Sequence, residues 1–339
     1  MGEGLFIVRA LQLRVTLLWS HSVAAKPQVA VEPRSGTLPL ILTTARPAQW
    51  TKNLFVLGPL LFAKRVLDPS AGLRSMIACV SFCLMSSAIY VLNDLADAEQ
   101  DRNHPSKRNR PLASGILSRH TAWLAFSFLT GMGLIFALSL GSQVALLAML
   151  YFAAMLAYCI RLKHVLILDC IVIAIGFVLR VVAGAAAVRV EATHWLIACT
   201  FLLALYLAFA KRRQELAVLP GTAPSHRHVL GEYSSGYLDQ VNNILLGTVV
   251  LCYALYTVAP ETITRFGSDH LIYGTVFVLY GMLRYMILLH SGRGADPSVL
   301  VLRDKPLLIS VFCWATYNCL VIYRREITEI GGRLLPGKY

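Results

Sequence analysis

The chain has 339 residues, of which 57% are apolar and only 14% charged, and its mean hydropathy is +0.62. That balance excludes an ordinary soluble domain, in which about 25% of residues carry charge. The net charge of +13 invites a nucleic-acid reading, but no basic-aromatic binding module is present. Basic loops that orient a membrane protein account for much of the excess, so nucleic-acid binding is set aside.

In chain order, residues 1–36 form an extension outside the main pattern. Its apolar run LFIVRALQLRVTLLWS is interrupted by Arg9 and Arg14. It reads as a surface helix, a signal-like segment or sequence upstream of the true start. Windows long enough to cross about 30 Å of hydrocarbon then fall near 54–72, 75–93, 120–139, 142–160, 166–188, 194–211, 240–259, 270–290 and 306–323. They predict an all-α polytopic membrane protein of about nine transmembrane helices occupying 37–325, with 326–339 as a tail. No connection is long enough for a soluble domain. Cations gather after the second, fourth, sixth and eighth windows, as at Lys107, Arg161, Lys211 and Arg303, whereas the intervening connections hold few. The positive-inside rule makes the basic face cytoplasmic and the protein an integral one. The eight cysteines lie mainly in apolar windows without CxxC or Cys-His spacing and read as small core residues. His164, His226 and His228 have no convincing metal spacing.

At the end of the second window the chain reads Asn93-Asp94-Leu-Ala-Asp97-Ala-Glu99-Gln-Asp101, an NDxxDxxxD pattern. Carboxylates at a membrane boundary are costly, which marks them as functional. At spacings of three and four, Asp94, Asp97 and Asp101 are expected on one face of a helix, where hard oxygen ligands can converge on divalent cations such as Mg2+. A diphosphate is the natural substrate for such a comb. Lys107, Arg108 and Arg110 follow, adding a place for further phosphate.

A second cluster opens the fifth window: Tyr158, Arg161, Lys163, His164 and Asp169, then Arg180. Asp169 is expected about one turn inside the membrane and Arg180 about three turns further. Each should face a polar cavity or a partner; for Arg180, a neighbouring carboxylate and a ligand are equally open. A third cluster, Lys211-Arg212-Arg213-Gln214-Glu215, ends the sixth window and reads either as phosphate ligands or as a stop-transfer anchor. Arg303-Asp304-Lys305 carries the same ambiguity.

With these residues in view, the chain resembles the UbiA superfamily of intramembrane transferases, and within it the decaprenyl-phosphate phosphoribosyltransferase branch. The segments that carry the likeness begin at Arg46-Pro47-Ala-Gln-Trp50-Thr-Lys52-Asn53, Tyr90-Val-Leu-Asn93-Asp94, Leu162-Lys163-His164, Gly176-Phe177-Val-Leu-Arg180 and Ala210-Lys211-Arg212. Together they cover roughly 38–323. The resemblance implies a bundle of about nine helices with its active site on the cytoplasmic side of a bacterial inner membrane. It implies Mg2+-dependent transfer of a phosphoribosyl group from phosphoribosyl diphosphate (PRPP) to a polyprenyl phosphate, and leaves an oligomer open. The expected metal ligands and catalytic residues are Asp94, Asp97 and Asp101. The expected substrate ligands are Lys52, Asn93, Lys107, Arg108, Arg110, Tyr158, Lys163, Asp169, Arg180, Lys211 and Arg212.

One departure discriminates. Prenyl-diphosphate users in the superfamily generally carry a second acidic DxxxD motif after the sixth span, where this chain reads Lys211-Arg212-Arg213-Gln214-Glu215. The basic replacement disfavours the alternative, an aromatic prenyltransferase joining a polyprenyl diphosphate to an acceptor such as 4-hydroxybenzoate. It suits a donor carrying a 5-phosphate beside its diphosphate. A transporter or lipid carrier would predict internal repeats, and none is evident.

Overall fold

A computed structural model describes residues 36–103, 107–218, 228–291, 300–301 and 303–328. The expectations placed on 1–35, His226 and 329–339 lie outside these residues. The chain divides into two units, Met1–Pro39 and Leu40–Tyr339, and all but the first residues of α1 belong to the second.

Every described element is helical. Helices α1 (Thr37–Ala45) and α2 (Gly58–Phe62) flank a 3-10 stretch, Pro47–Leu57. Helix α3 (Pro69–Ala96) leads to the short α4 (Ala98–Arg102), followed by α5 (Arg119–Leu140), α6 (Ser142–Ile160), α7 (Leu168–Ala187) and α8 (His194–Val218). The chain closes with α9 (Ser235–Val258), α10 (Pro260–Phe266), α11 (Thr275–His290) and α12 (Lys305–Ile322). Among the described residues, 8 helical segments are long and apolar enough to cross a membrane.

The continuous helix expected over 54–72 is absent. Pro59, Pro69 and the turn at 63–68 interrupt that window, because proline lacks the amide that a helix interior needs. The distance is covered instead by the 3-10 stretch and α2. Arg46 meets Asp94 at the end of α3, Asn53 bonds Ser86 midway along it, and the Leu61 carbonyl accepts from the Tyr323 hydroxyl beyond the end of α12. An 11-residue 3-10 run is unusual, since its hydrogen bonds are poorer than those of an α-helix. Side chains steady it here. Asn53 donates to Ser86 Oγ at 3.1 Å and to Cys83 Sγ at 3.3 Å, and Trp50 Nε1 donates to Ser87 Oγ at 3.0 Å.

Small residues let the helices approach closely, as bundles in lipid require. Ser81 Oγ donates to the Gly133 carbonyl at 2.7 Å between α3 and α5. At Gly184 on α7, a β-carbon would collide with the Val56 backbone. Around this contact lies a core containing Val56, Phe82, Met85, Tyr151 and Ala183. A second core joins α8, α9 and α11 through Tyr206, Val249, Met282 and Tyr285.

Charged groups then mark the two ends of the bundle. At one end Arg74 donates from Nε to the Ala187 carbonyl at 2.6 Å and from Nη2 to the Leu140 carbonyl at 2.9 Å. One guanidinium thus closes the C-termini of α5 and α7, whose last carbonyls have no partner within their own helices. The opposite end gathers the C-termini of α3, α6 and α8 and the N-terminus of α7, and with them the clusters picked out in the sequence.

Candidate active site

The three carboxylates of the comb do not share one helix. Helix α3 closes at Ala96, Asp97 occupies the junction at φ −91° and ψ 1°, and α4 begins at Ala98. The backbone ladder still runs through the junction, from the Asp97 amide to the Asn93 carbonyl and from the Asp101 amide to the Asp97 carbonyl, but side-chain partners divide the three into a pair and a separate member. Asp94 and Asp101 are both 3% exposed. Arg110 Nη1 bridges them, 3.2 Å from Asp94 Oδ1 and 2.6 Å from Asp101 Oδ2. Arg46 Nη2 lies 2.5 Å from the same Asp94 oxygen, and Lys107 Nζ is 3.8 Å from Asp101. Asp97 turns to other partners. Lys163 Nζ is 2.9 and 3.3 Å from its two oxygens, and Asn93 Nδ2 donates to it at 3.0 Å. Among the described residues, no three His, Cys, Asp or Glu side chains are grouped to hold a metal ion.

Thr43, Arg46, Asp94, Asn109, Arg110 and Pro111 line a cleft of about 290 Å³. Arg46 is a site residue that the sequence reading leaves without a role. It adopts a left-handed backbone, φ 53° and ψ 60°, between α1 and Pro47, a conformation uncommon for a residue with a side chain. Its guanidinium lies 5.1 Å from the centre of the Tyr90 ring, one turn before Asp94. The available signal is local: a cation immediately before a proline that breaks a helix.

The second and third clusters meet each other. Arg212 Nε lies 2.6 Å from Asp169 Oδ2, and the residues are 1% and 0% exposed. Arg212 also bonds Glu215 at 2.6 Å and the Tyr158 hydroxyl at 3.3 Å. Tyr233 donates to Asp169 Oδ1 at 3.0 Å and accepts the Ile167 amide at 2.9 Å. Burial pushes the Tyr233 phenol well above its ordinary range, so it remains a donor. This network ties the ends of α6 and α8 to the start of α7. Asp169 and Arg212, both expected as substrate ligands, are paired with one another.

Arg180 lies deeper and meets neutral groups. It donates to Asn53 Oδ1 at 2.7 Å, to the Gly176 carbonyl at 2.9 Å and to the Tyr151 hydroxyl at 2.8 Å. The Tyr151 and Phe177 rings lie 4.4 and 5.1 Å from its guanidinium carbon. Among the described residues it forms no ion pair. Its place is beside the 3-10 stretch, away from the comb. Lys52 on that stretch and Lys211 beside Arg212 are half-buried, and Arg108 is exposed.

The arrangement is an acid-and-cation site at one end of a helical bundle, suited to an ion-bridged diphosphate. Residues 54–314 match the UbiA prenyltransferase family. The chain is 30% identical over 302 residues to the decaprenyl-phosphate phosphoribosyltransferase of Mycolicibacterium smegmatis, covering 86% of this chain and 95% of that protein. It is 31% identical over 303 residues to the enzyme of that name from Mycobacterium tuberculosis, covering 87% and 98%. Among solved structures, a UbiA homolog from Archaeoglobus fulgidus bound to GPP and Mg2+ superposes with a TM-score of 0.65 at 19% identity, over 84% of this chain and 99% of that one. The chain belongs to the UbiA prenyltransferase family of membrane-embedded transferases.

Proposed function

We propose that the chain transfers a 5-phosphoribosyl group from PRPP to a polyprenyl phosphate, releasing pyrophosphate, in a Mg2+-dependent reaction at the cytoplasmic rim of a bacterial plasma membrane. The observation that carries this reading is the fate of the second acidic motif. Its place is held by Arg212, and the nearby carboxylates Asp169 and Glu215 are bonded to that arginine. The prenyl-diphosphate alternative needs free carboxylates there. The names borne by relatives at 30% and 31% identity support the same choice.

The donor set fits magnesium. Arg110 Nη1 already occupies a cation's position between Asp94 and Asp101, and magnesium is usually held by one or two carboxylates together with substrate phosphates and water. When bound, Mg2+ supplies charge stabilisation to the departing diphosphate. Asp94 and Asp101 would hold it; Asp97, fixed by Lys163 and Asn93, would orient the rim of the site. Arg46, Lys107, Arg110 and Lys163 offer donors to the donor and acceptor phosphates. The bond from ribose C1 to the diphosphate oxygen breaks with its electron pair leaving on pyrophosphate, and an acceptor phosphate oxygen forms the new bond at C1. That oxygen is already ionised near neutral pH, so no protein base is required. The polyprenyl tail stays in lipid or between helices, which explains placing the chemistry at a membrane boundary.

The test uses purified protein in detergent with Mg2+, PRPP labelled in the ribose, and a polyprenyl phosphate. Label should enter the lipid phase, and EDTA should abolish the transfer. Absence of transfer, with label instead entering lipid from a prenyl diphosphate and labelled 4-hydroxybenzoate, would replace this reading with the aromatic prenyltransferase.

A further inference from the structure

The comb is electrically satisfied by the protein's own side chains. Asp94, Asp97 and Asp101 carry three formal negative charges, and four cations contact them: Arg46, Lys107, Arg110 and Lys163. The Arg46–Asp94 and Arg110–Asp101 contacts, at 2.5 and 2.6 Å, are charge-assisted and involve buried carboxylates, so they are not weak surface pairs. A lone dication approaching Asp94 and Asp101 must displace guanidinium groups that gain no new partner. A dication arriving on a diphosphate brings anionic oxygens for those same guanidiniums. The two exchanges then occur together: carboxylates pass to the metal and guanidiniums to phosphate.

We propose that this site takes its divalent cation as a complex with the diphosphate and not as a free ion, and that Arg46 is the residue that enforces the order. This rests on the reading of the comb as a metal–diphosphate site. Arg46 is suited to the role because its pairing is imposed. The chain holds it in a left-handed conformation immediately before Pro47, and residues preceding proline favour extended backbone. The Tyr90 ring at 5.1 Å offers the guanidinium a face to retain while it exchanges carboxylate for phosphate. Arg46 is thus a specificity-determining residue for the form in which the metal enters.

The test is equilibrium dialysis of radioactive Mn2+, as a stand-in for Mg2+, against the purified full chain in detergent, with and without saturating pyrophosphate. Wild-type protein should bind Mn2+ at least about tenfold more tightly when pyrophosphate is present, and by linkage Mn2+ should tighten labelled pyrophosphate binding by the same factor. Arg46→Gln should bind Mn2+ alone about fivefold or more tightly than wild type and lose most of the enhancement by pyrophosphate. Arg46→Lys, which keeps the charge, should retain the enhancement. The wild-type linkage needs no variant, so it stands even if Arg46→Gln fails to fold. Equal Mn2+ affinity with and without pyrophosphate, abolished by Asp94→Asn, would overturn this inference and leave the metal site in place. Unchanged Mn2+ affinity in folded Arg46→Gln would overturn the role of Arg46. No Mn2+ binding under either condition would remove the metal–diphosphate reading itself.

Discussion

Asp94 carries two guanidiniums on one oxygen and shares Arg110 with Asp101, whereas Asp97 belongs to Lys163 and Asn93. The comb members should therefore differ. Asp94→Asn removes one of two carboxylates that can share a cation, and turnover should fall by at least about 100-fold, the scale of losing one preorganised electrostatic group. The elution profile in detergent should stay that of wild type; retained activity would exclude Asp94 as a ligand. Arg212 is a buried charge of another kind, bonded to Asp169, Glu215 and Tyr158 away from the comb's carboxylates. Arg212→Leu leaves Asp169 buried without its cation, which should cost about 3–5 kcal/mol and lower the thermal midpoint. Adding Asp169→Leu should recover most of that loss, because the stranded charge is gone. A single variant as stable as wild type would contradict the pairing. The charges themselves were legible in the sequence as Asp94, Asp101, Asp169 and Arg212. Their partners were not, since Asp169 and Arg212 are 43 residues apart and only the packing of α7 on α8 joins them. Arg46 escaped for a related reason: it lies outside every apolar window and 48 residues from Asp94, and only the fold sets it against that carboxylate.

Among the elements, hydropathy locates helices well where the chain is regular. The windows from 75–93 onward each overlap a described helix, because in lipid the backbone has few ways to satisfy its amides other than a helix. The window over 54–72 failed because a hydropathy average counts the apolar residues around Pro59 and Pro69 without registering that proline cannot continue the ladder. The 3-10 stretch that replaces it begins beside Arg46 and carries Lys52 and Asn53. Its position depends on Gly184. A β-carbon there would press on the Val56 backbone, which no side-chain rotation can relieve. Gly184→Ala should destabilise the protein by about 1–3 kcal/mol and reduce transfer by displacing Arg46. Gly131→Ala on α5 is the control, because its β-carbon would meet nothing within 4 Å, so it should be neutral or slightly stabilising. Equal thermal midpoints for the two variants would show that the 3-10 stretch is not wedged against α7.

For the whole molecule, the ion pairs Lys163–Asp97 and Arg212–Asp169 bring the basic connections and the comb to one end, while Arg74 closes the helix ends at the other. The contrast between cation-rich and cation-poor connections was readable in the sequence because it is a property of loops. The bundle gathers the cation-rich connections at one end. If the positive-inside rule sets the orientation, the comb faces the cytoplasm, where a phosphorylated sugar donor would be met. Arg108, exposed beside the comb, and Gln143, exposed at the start of α6, mark the two ends. Cysteines placed there by Arg108→Cys and Gln143→Cys should respond oppositely to a membrane-impermeant maleimide. In intact cells Gln143→Cys should label above the wild-type background and Arg108→Cys should not, until the membrane is permeabilised. The reverse pattern would put the comb outside, and a cytoplasmic sugar diphosphate could then no longer be its donor.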